Sequence, residues 1–241
     1  MSSTTWTLRA VASEARRTQV KPWRAVESQH RASTLTLVDS FAEQALLEDL
    51  IEQAKPPIPE EARTLDYLLA TPFRYPPSPY GSRFRTLADP GVLYAANEIR
   101  TACAEAGYWR WRFMMDSPAL LEMPAVSRTL FQSSVSGSTI DLRTKPFVKD
   151  RGKWTHPNDY SHCHALARLA RDAQVQVIAY ESVRDPEHGP CVAVLTPAAF
   201  AKRSPIKQES WLLTVTKNRV YWQRQSGESA FEFDPTLSHS T

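Results

Sequence analysis

Val175-Gln-Val-Ile-Ala-Tyr180 and Cys191-Val-Ala-Val-Leu195 are the two stretches that decide the fold. Each is a short apolar run, which is typical of a buried strand. The polar segment Asp185-Pro-Glu-His-Gly189 lies between them and predicts a turn. A helix is predicted just before them, over about residues 159–173, because apolar residues recur there on one side. This part of the chain is therefore predicted to run helix, strand, turn, strand.

Further elements are predicted on both sides of this unit. Residues 92–95 form a short strand candidate, and Asn97 is a candidate cap for a helix that runs to about Trp111. Residues 212–216 and 219–223 flank Lys217-Asn218 and predict a hairpin. Residues 120–130 are ambiguous, and residues 139–148 fit either a strand pair or a loop. Helices followed by strands mixed with helices predict an α+β domain over residues 72–241.

Residues 1–71 are predicted to form a helical N-terminal region. Ser40 and Glu43 form a capping box that starts a helix ending at Ala54, before Lys55-Pro-Pro57. A second helix is predicted over residues 60–69, ending before Thr71-Pro72. Helical pairs of this kind are packing or interaction elements, and neither helix carries residues that suggest chemistry.

Composition restricts the class of protein. The chain has 241 residues, 42% of them hydrophobic and 23% charged, with a net charge of +3, which is ordinary for a folded domain. The mild basic excess fits a solvated surface or an anionic small-molecule substrate, and it argues against a dedicated nucleic-acid binder. The sequence has no 18-residue apolar run and no apolar stretch of signal-peptide type, so we expect no membrane span and a cytoplasmic protein.

The three cysteines, Cys103, Cys163 and Cys191, stand far apart in the sequence. An odd number without a C-x-x-C spacing argues against a disulfide framework and against structural zinc. We expect reduced thiols. His156, His162 and His164 lie near Cys163, but residues two apart on a helix point to different sides, so a metal site is disfavoured.

Four residues are candidates for chemistry. Arg83, Tyr94 and Glu105 are separated by eleven and eleven positions, and a strand-turn-helix would bring them to one end of a sheet. Small alanine neighbours would let the helix of Glu105 approach another backbone and partly bury the carboxylate. Ser182 stands where a strand ends, a common place for a ligand-binding hydroxyl. Taken alone, an Arg, Tyr and Glu at this spacing arise by chance in many folded proteins, and a serine that ends a strand and caps a turn is the favoured interpretation of Ser182.

The ordered motifs around these residues resemble the RES-domain family, which is named for its Arg, Glu and Ser. The resemblance covers roughly residues 72–200 and departs from the family where Ser82-Arg83-Phe84 replaces the usual Gly-Arg-Trp. The stretches that carry it are Phe73-Arg-Tyr75, Gly81-Ser-Arg-Phe84, Gly91-Val-Leu-Tyr-Ala-Ala96, Ala102-Cys-Ala-Glu105, Ala165-Leu-Ala-Arg-Leu-Ala-Arg-Asp-Ala173, Val177-Ile-Ala-Tyr-Glu-Ser-Val-Arg-Asp-Pro186 and Val192-Ala-Val-Leu-Thr-Pro197.

The resemblance implies an ADP-ribosyltransferase-like mixed sheet with flanking helices, preceded by the small helical unit. It implies the toxin of a bacterial toxin–antitoxin pair that depletes NAD by cleaving the nicotinamide–ribose bond. NAD is then the substrate, with water or inorganic phosphate as acceptor, and no other cofactor or metal is expected. The expected partner is an Xre-type helix-turn-helix antitoxin, with no direct contact to nucleic acid, and a homo-oligomer is left open.

The resemblance also gives each residue a role. Arg83, with Arg74 as a second arginine, would bind the pyrophosphate through charged, bidentate hydrogen bonds. Tyr94 would stack on the nicotinamide ring. Glu105 would stabilise the positive charge that develops on the ribose and hold a ribose hydroxyl. Ser182 would hydrogen-bond the nicotinamide amide or the ribose.

Two other functions remain open at this stage. An ADP-ribosyltransferase that modifies a macromolecule would carry the same residues, and a non-catalytic interaction protein could dock a partner on its N-terminal helices. Glu98, seven positions before Glu105, is a weaker carboxylate candidate, and a surface role is favoured for it. The aromatic run Trp109, Trp111 and Phe113 fits core packing better than ligand stacking.

Overall fold

A computed structural model describes residues 6–28, 37–76, 79, 81–117, 119, 120 and 122–237. Its helices are α1 (Leu8–Glu14), α2 (Phe41–Ala54), α3 (Tyr67–Arg74), α4 (Ile99–Met115), α5 (Arg151–Trp154) and α6 (Ser161–Asp172). Its strands are β1 (Arg16–Val20), β2 (Trp23–Glu27), β3 (Leu93–Ala96), β4 (Glu122–Gln132), β5 (Val135–Asp141), β6 (Val177–Glu181), β7 (Pro190–Val194), β8 (Lys207–Thr216), β9 (Val220–Arg224) and β10 (Ala230–Phe233). Helices and strands together confirm the predicted α+β class.

All ten strands belong to one mixed sheet in the order β1-β5-β6-β7-β3-β2-β4-β8-β9-β10. β5 and β6 run parallel, whereas β6 and β7 are antiparallel, as the two apolar stretches and their turn predict. The predicted hairpin is present as β8 and β9. The sheet joins strands from both ends of the chain, so its centre depends on pairings that are distant in sequence.

Two apolar cores cover the two faces of the sheet. The larger core joins α4 and α6 to the sheet through residues such as Tyr108, Leu166 and Trp222. The smaller core joins α3 to the opposite face through Leu69 and Phe73. Within the described ranges, no helix has the length and apolar character that crossing a membrane would require.

The region before residue 72 differs from its predicted helical character at residues 16–27. These residues form β1, which pairs with β5, and β2, which lies between β3 and β4. The burial pattern of β1 is almost entirely exposed, so the stretch has no apolar alternation that would predict a strand. Backbone pairing with distant strands forms it instead.

The helical part of the N-terminal region agrees with the capping signals. Ser40 accepts a hydrogen bond from the Glu43 backbone N–H (3.2 Å), and α2 ends at Ala54 as predicted. The predicted helix over residues 60–69 is wrong in its bounds: a 3-10 turn covers Glu60–Ala62, and α3 begins after Asp66, whose carboxylate caps it. α3 continues through Pro72 because Phe73 and Leu69 are buried, and their packing offsets a proline cost of about 3 kcal/mol.

Helix α4 carries one of the candidate residues and packs closely on the sheet. It begins after Glu98 rather than Asn97 and extends past Trp111 to Met115. At Gly107 a Cβ would lie 2.6 Å from Val220 Cγ1, so a glycine permits the close approach of α4 to β9. Another face of α4, which carries Glu105, lies toward β2 and β3 in the middle of the sheet.

Candidate active site

Three of the candidates, Arg83, Tyr94 and Glu105, line a cavity of about 460 Å³ between α4 and the middle of the sheet. Four α4 residues at helical spacing line it: Ala102, Glu105, Ala106 and Trp109. The remaining walls come from β2, β3, the turn before β3, the residue before α6, the end of β6 with the turn after it, and β7. These wall residues are Trp23, Arg24, Ala25, Gly81, Ser82, Arg83, Tyr94, Ala95, Ala96, Tyr160, Tyr180, Arg184 and Cys191.

Glu105 and Ser182 are in direct contact. The Ser182 hydroxyl donates to Glu105 Oε1 at 2.5 Å, and it accepts from the backbone N–H groups of Arg184 (3.2 Å) and Asp185 (2.9 Å). Ser182 is fully buried. Its hydroxyl therefore fixes the Glu105 carboxylate at the cavity wall and connects it to the turn after β6. Ser182 is not among the described residues that line the cavity, and its direct contact with a ligand stays a prediction.

The turn after β6 is held by a second buried carboxylate. Asp185 Oδ2 accepts from the Thr101 hydroxyl at 2.8 Å, and Asp185 also pairs with Arg100. Both partners lie in the first turn of α4, so this contact joins the turn to the same helix that carries Glu105. The Ser182–Glu105 bond is thus one of several contacts that join the segment after β6 to α4.

Arg83 is at the corner of a tight turn. Ser82 and Arg85 exchange two backbone hydrogen bonds (2.8 and 3.1 Å) around Arg83 and Phe84, and Gly81 enters the turn with a φ of 67°. Phe84 is fully buried and anchors the turn. Arg83 Nη1 donates to the carbonyls of Trp154 (2.7 Å) and His156 (3.0 Å). The guanidinium of Arg83 is therefore fixed at the cavity wall.

Tyr94 supports this turn from β3. Its hydroxyl accepts from the Phe84 N–H at 2.9 Å and lies 2.8 Å from the Ser82 hydroxyl. Burial raises the pKa of the Tyr94 hydroxyl to about 12. The phenol therefore stays neutral, and it holds the arginine turn while its ring lines the cavity.

Arg74 does not join the other predicted residues. Its Nη1 pairs with Glu52 at 2.7 Å, and its Nε donates to the Pro56 carbonyl. It lies at the end of α3 and connects that helix to α2, so the predicted phosphate contact has no support from its position. The structure thus brings Arg83, Tyr94, Glu105 and Ser182 together and leaves Arg74 outside the cavity.

Two arginines of the cavity were not among the predicted residues. Arg24 Nη1 donates to the Tyr94 carbonyl at 2.8 Å, and desolvation lowers the Arg24 pKa to about 10. The Arg184 guanidinium lies 4.0 Å from the ring centroid of Tyr108 and 5.7 Å from that of Trp109. Arg184 stands inside the motif around Ser182, so the sequence offered a signal for it, whereas Arg24 lies in a stretch without a motif.

The weaker candidates are the histidines, the aromatic run and Glu98. His156 Nδ1 accepts from two backbone N–H groups, and His164 Nε2 lies 2.8 Å from the Ser82 carbonyl. No group of three metal-binding side chains occurs among the residues that the structure describes. Trp111 is buried, as core packing predicts, but Trp109 is 54% exposed and lines the cavity. Glu98 is exposed, in agreement with a surface role.

The three cysteines are buried and free. Burial raises the pKa of the Cys163 thiol to about 11 and raises the pKa values of Cys103 and Cys191 well above their usual range. Cys191 lines the cavity, but its protonated thiol is a poor nucleophile. The chemistry of the cavity therefore rests on its arginines, its carboxylate and its aromatic rings.

Comparisons with known proteins give the family of the chain. Sequence comparison with curated proteins finds no relative. In overall shape the chain is similar to one in a crystal structure of the M. tuberculosis MbcT–MbcA toxin–antitoxin complex, with 12% identity and a TM-score of 0.47 over 96% of this chain and 94% of that one. The family model of the RES domain matches residues 58–216, about two thirds of the sequence. The chain belongs to the RES-domain family.

Proposed function

We propose that this protein is the toxin of a toxin–antitoxin pair and that it depletes NAD by cleaving the nicotinamide–ribose bond. The observation that carries the proposal is the Glu105 carboxylate, held by Ser182 at 2.5 Å on the wall of a cavity that arginines and aromatic rings complete. Membership of the RES-domain family supports the substrate class.

The cavity residues match the charges of this reaction. As the bond between ribose C1′ and the ring nitrogen breaks, its electron pair goes to the nitrogen, neutralising the pyridinium and leaving positive charge on the ribose. A fixed carboxylate such as Glu105 stabilises that charge. Oxygen from water or from inorganic phosphate then bonds to C1′, and a proton is released from water or from the monoanion of phosphate. Ser182 keeps the carboxylate in place, which limits reorganisation during the reaction.

Nicotinamide release from NAD tests the reaction directly. Purified protein is incubated with NAD, with and without inorganic phosphate, and nicotinamide and the ribose product are measured. We expect ADP-ribose without phosphate or ADP-ribose 1-phosphate with it. Label from NAD that stays on protein or nucleic acid would instead support ADP-ribosyl transfer. Folded protein that leaves NAD intact under both conditions would overturn the proposal.

A matched pair of variants tests the assignment of the carboxylate. Glu105→Gln keeps the size of the side chain and removes its charge, so we expect the rate to fall by roughly 10²–10³. Glu98→Gln changes an exposed glutamate at the start of the same helix and should keep the wild-type rate.

In cells, Glu105→Ala and Arg83→Ala should each relieve growth arrest, and full toxicity of both would exclude this site.

We also propose that the partner is a helix-turn-helix antitoxin of the Xre type that covers the cavity. Membership of the RES-domain family supports a partner of this class, and the exposed Trp109 at the cavity gives it an aromatic side chain to cover. Co-expression with a candidate antitoxin should restore growth, and the antitoxin should reduce the exposure of Trp109. Because the chain has seven tryptophans, this exposure is measured as the difference in fluorescence quenching between the wild type and Trp109→Phe. Neutralisation without any change at Trp109 would contradict this mode of binding.

A further inference from the structure

We propose that Arg184 binds a phosphate-type anion in the cavity, either the pyrophosphate of the dinucleotide or free inorganic phosphate. The inference rests on the proposed function for the identity of the anion. The binding of an anion as such rests on the burial, the hydrogen bonding and the aromatic neighbours of Arg184 itself.

The first observation is a buried cation with an unsatisfied donor. Arg184 is only 5% exposed, yet it lines the cavity. Its Nη2 donates to the Pro157 carbonyl at 2.6 Å, while its Nη1 is buried without a hydrogen-bond partner. Burial of a charge is costly unless the charge is paired and hydrogen-bonded. An anion beside the guanidinium would supply both the charge and the missing acceptor.

The second observation is the charge of the cavity wall. Among the residues that the structure describes, the lining side chains include the guanidinium groups of Arg24, Arg83 and Arg184 but a single carboxylate, Glu105. That carboxylate already accepts from Ser182. A cavity with this excess of positive charge favours a ligand with negative charge, and a phosphate or pyrophosphate has the oxygens to accept from several guanidinium groups.

The third observation is the pair of aromatic rings of Tyr108 and Trp109 that contact Arg184, which we call the aromatic clamp. The rings of Tyr108 and Trp109 lie 4.0 and 5.7 Å from the Arg184 guanidinium carbon, measured to their centroids. The planes of the two rings are 80° apart, so contact with both restricts the orientation of the guanidinium, which suits bidentate binding of phosphate oxygens. A lysine ammonium would keep the charge but lose this planar geometry.

The position of the clamp relative to Glu105 fits the substrate. Trp109 follows Glu105 by four residues on α4, so the two side chains are neighbours on one face, one turn apart. Arg184 follows Ser182 by two residues, and Ser182 contacts Glu105. Arg184 and the two rings of the aromatic clamp therefore lie next to Glu105. An anion bound to Arg184 would lie beside the reacting ribose. This position suits a pyrophosphate joined to that ribose and a phosphate that attacks it.

Binding without turnover tests the inference. Isothermal titration measures the affinities of inorganic phosphate and ADP-ribose for the wild type, Arg184→Gln and Arg184→Lys. We expect Arg184→Gln to weaken one of the two ligands by about 10- to 100-fold, since hydrogen bonds to a charged group contribute about 1.5–3 kcal/mol. Arg184→Lys should recover only part of the loss. The weakened ligand identifies the anion as free phosphate or as pyrophosphate.

Two further variants complete the binding test, one as a control and one as a second change at the same site. Arg112→Gln changes an exposed arginine of α4, the helix that carries Trp109, and should bind both ligands like the wild type. Trp109→Ala removes a half-exposed ring of the clamp without opening the core, and it should weaken the same ligand as Arg184→Gln by a few-fold. If Arg184→Gln fails to fold, Trp109→Ala alone decides the result. Unchanged binding of both ligands in the folded variants would overturn the inference, and full recovery by lysine would overturn the clamp.

The outcomes also separate this inference from the proposed function. Anion binding that depends on Arg184, in a protein that leaves NAD intact, would support the anion site and overturn the proposed reaction. Consumption of NAD by Arg184→Gln with unchanged KM values for NAD and phosphate would support the reaction and overturn the anion site.

Discussion

At the scale of single residues, the Ser182 hydroxyl occupies an unusual position. It satisfies three groups at once: the Glu105 carboxylate and the N–H groups of Arg184 and Asp185. The same atom therefore contributes to stability and orients the carboxylate. These two contributions can be measured separately, because one affects unfolding and the other affects the rate.

Ser182→Ala is expected to lower both quantities. Loss of the hydroxyl leaves buried donors without an acceptor, so the free energy of unfolding should fall by about 1–3 kcal/mol. If Ser182 only positions Glu105, kcat for NAD cleavage should fall while KM changes little. Urea unfolding and steady-state kinetics measure the two effects. A large rise in KM with unchanged kcat would instead show that Ser182 touches the substrate, as the sequence analysis predicts.

Tyr94 predicts a dependence of stability on alkaline pH. Folding raises its pKa from 10 to about 12, so the neutral phenol is favoured in the folded state. This contribution is fully present below pH 10 and is lost as the pH rises through about 12. Urea unfolding of the wild type should therefore weaken between pH 10 and 12.

Tyr94→Phe should show a smaller loss over the same pH range, since it removes this titrating hydroxyl. Tyr180, whose pKa burial raises well above its usual value, leaves a residual loss in the variant. Tyr221→Phe, at an exposed position on β9, should behave like the wild type. Equal pH dependence in Tyr94→Phe and the wild type would contradict the role given to this hydroxyl.

The resemblance to a family predicts which residues lie close together. It does not predict which atoms of these residues are in contact. The approach of Arg83, Tyr94, Glu105 and Ser182 agrees with the prediction, although Ser182 is buried beneath Glu105. The sequence could not show that Arg74 pairs with Glu52, because this contact depends on how α2 and α3 pack. The role of Arg184 depends on two aromatic rings that lie more than seventy positions away in the sequence.

At the scale of elements, α4 combines the site with the core. One face carries Glu105 and Trp109 into the cavity, and Gly107 approaches β9 on another. Gly107 therefore has a definite role in this helix, because it permits the short distance between α4 and β9. A change in that distance would move Glu105.

Gly107→Ala should destabilise the protein, although alanine is the better helix former. A Cβ at this position would lie 2.6 Å from Val220 Cγ1 and 3.1 Å from Trp222 Nε1. Overpacking of this type costs about 1–3 kcal/mol, which exceeds a gain in helix propensity of about 1 kcal/mol. The free energy of unfolding in urea measures the balance.

Gly152→Ala is the matched control for Gly107→Ala. It lies in α5, and a Cβ there has no neighbour within 4 Å. The free energy of unfolding should therefore stay the same or rise by up to about 1 kcal/mol. Gly107→Ala that is as stable as Gly152→Ala would show that α4 moves away from β9 at little cost.

Elements with a local signal were predicted, and those formed by distant pairing were not. α2, α6, β6, β7 and the β8–β9 hairpin follow from capping, periodicity and turn residues. β1 and β2 were missed because Arg16–Val20 is exposed and because Trp23–Glu27 alternates only weakly. α3 passes through Pro72 because burial of its apolar face outweighs the local effect of proline.

At the scale of the whole molecule, β2 is the connection between two parts of the sheet. It lies between β3 and β4, with the order β7-β3 on one side and β4-β8 on the other. It also supplies Arg24 and Trp23 to the cavity wall. A separate N-terminal domain over residues 1–71 would fold independently of this sheet, whereas the strand order predicts that its first strands unfold together with the rest.

A truncated chain that begins at residue 37 decides between these two organisations. It lacks β1 and β2, so β3 and β4 lose a shared neighbour, and the cavity loses part of its wall. Since the two halves of the sheet then have no strand between them, we expect the truncated chain to lose cooperative unfolding and to lose measurable binding of added ADP-ribose. The full chain should unfold in one transition by circular dichroism and by tryptophan fluorescence. A truncated chain that still unfolds cooperatively near the wild-type midpoint would show that residues 6–28 add to a domain that is complete without them, and the predicted boundary would then move toward residue 37 rather than lie at residue 72.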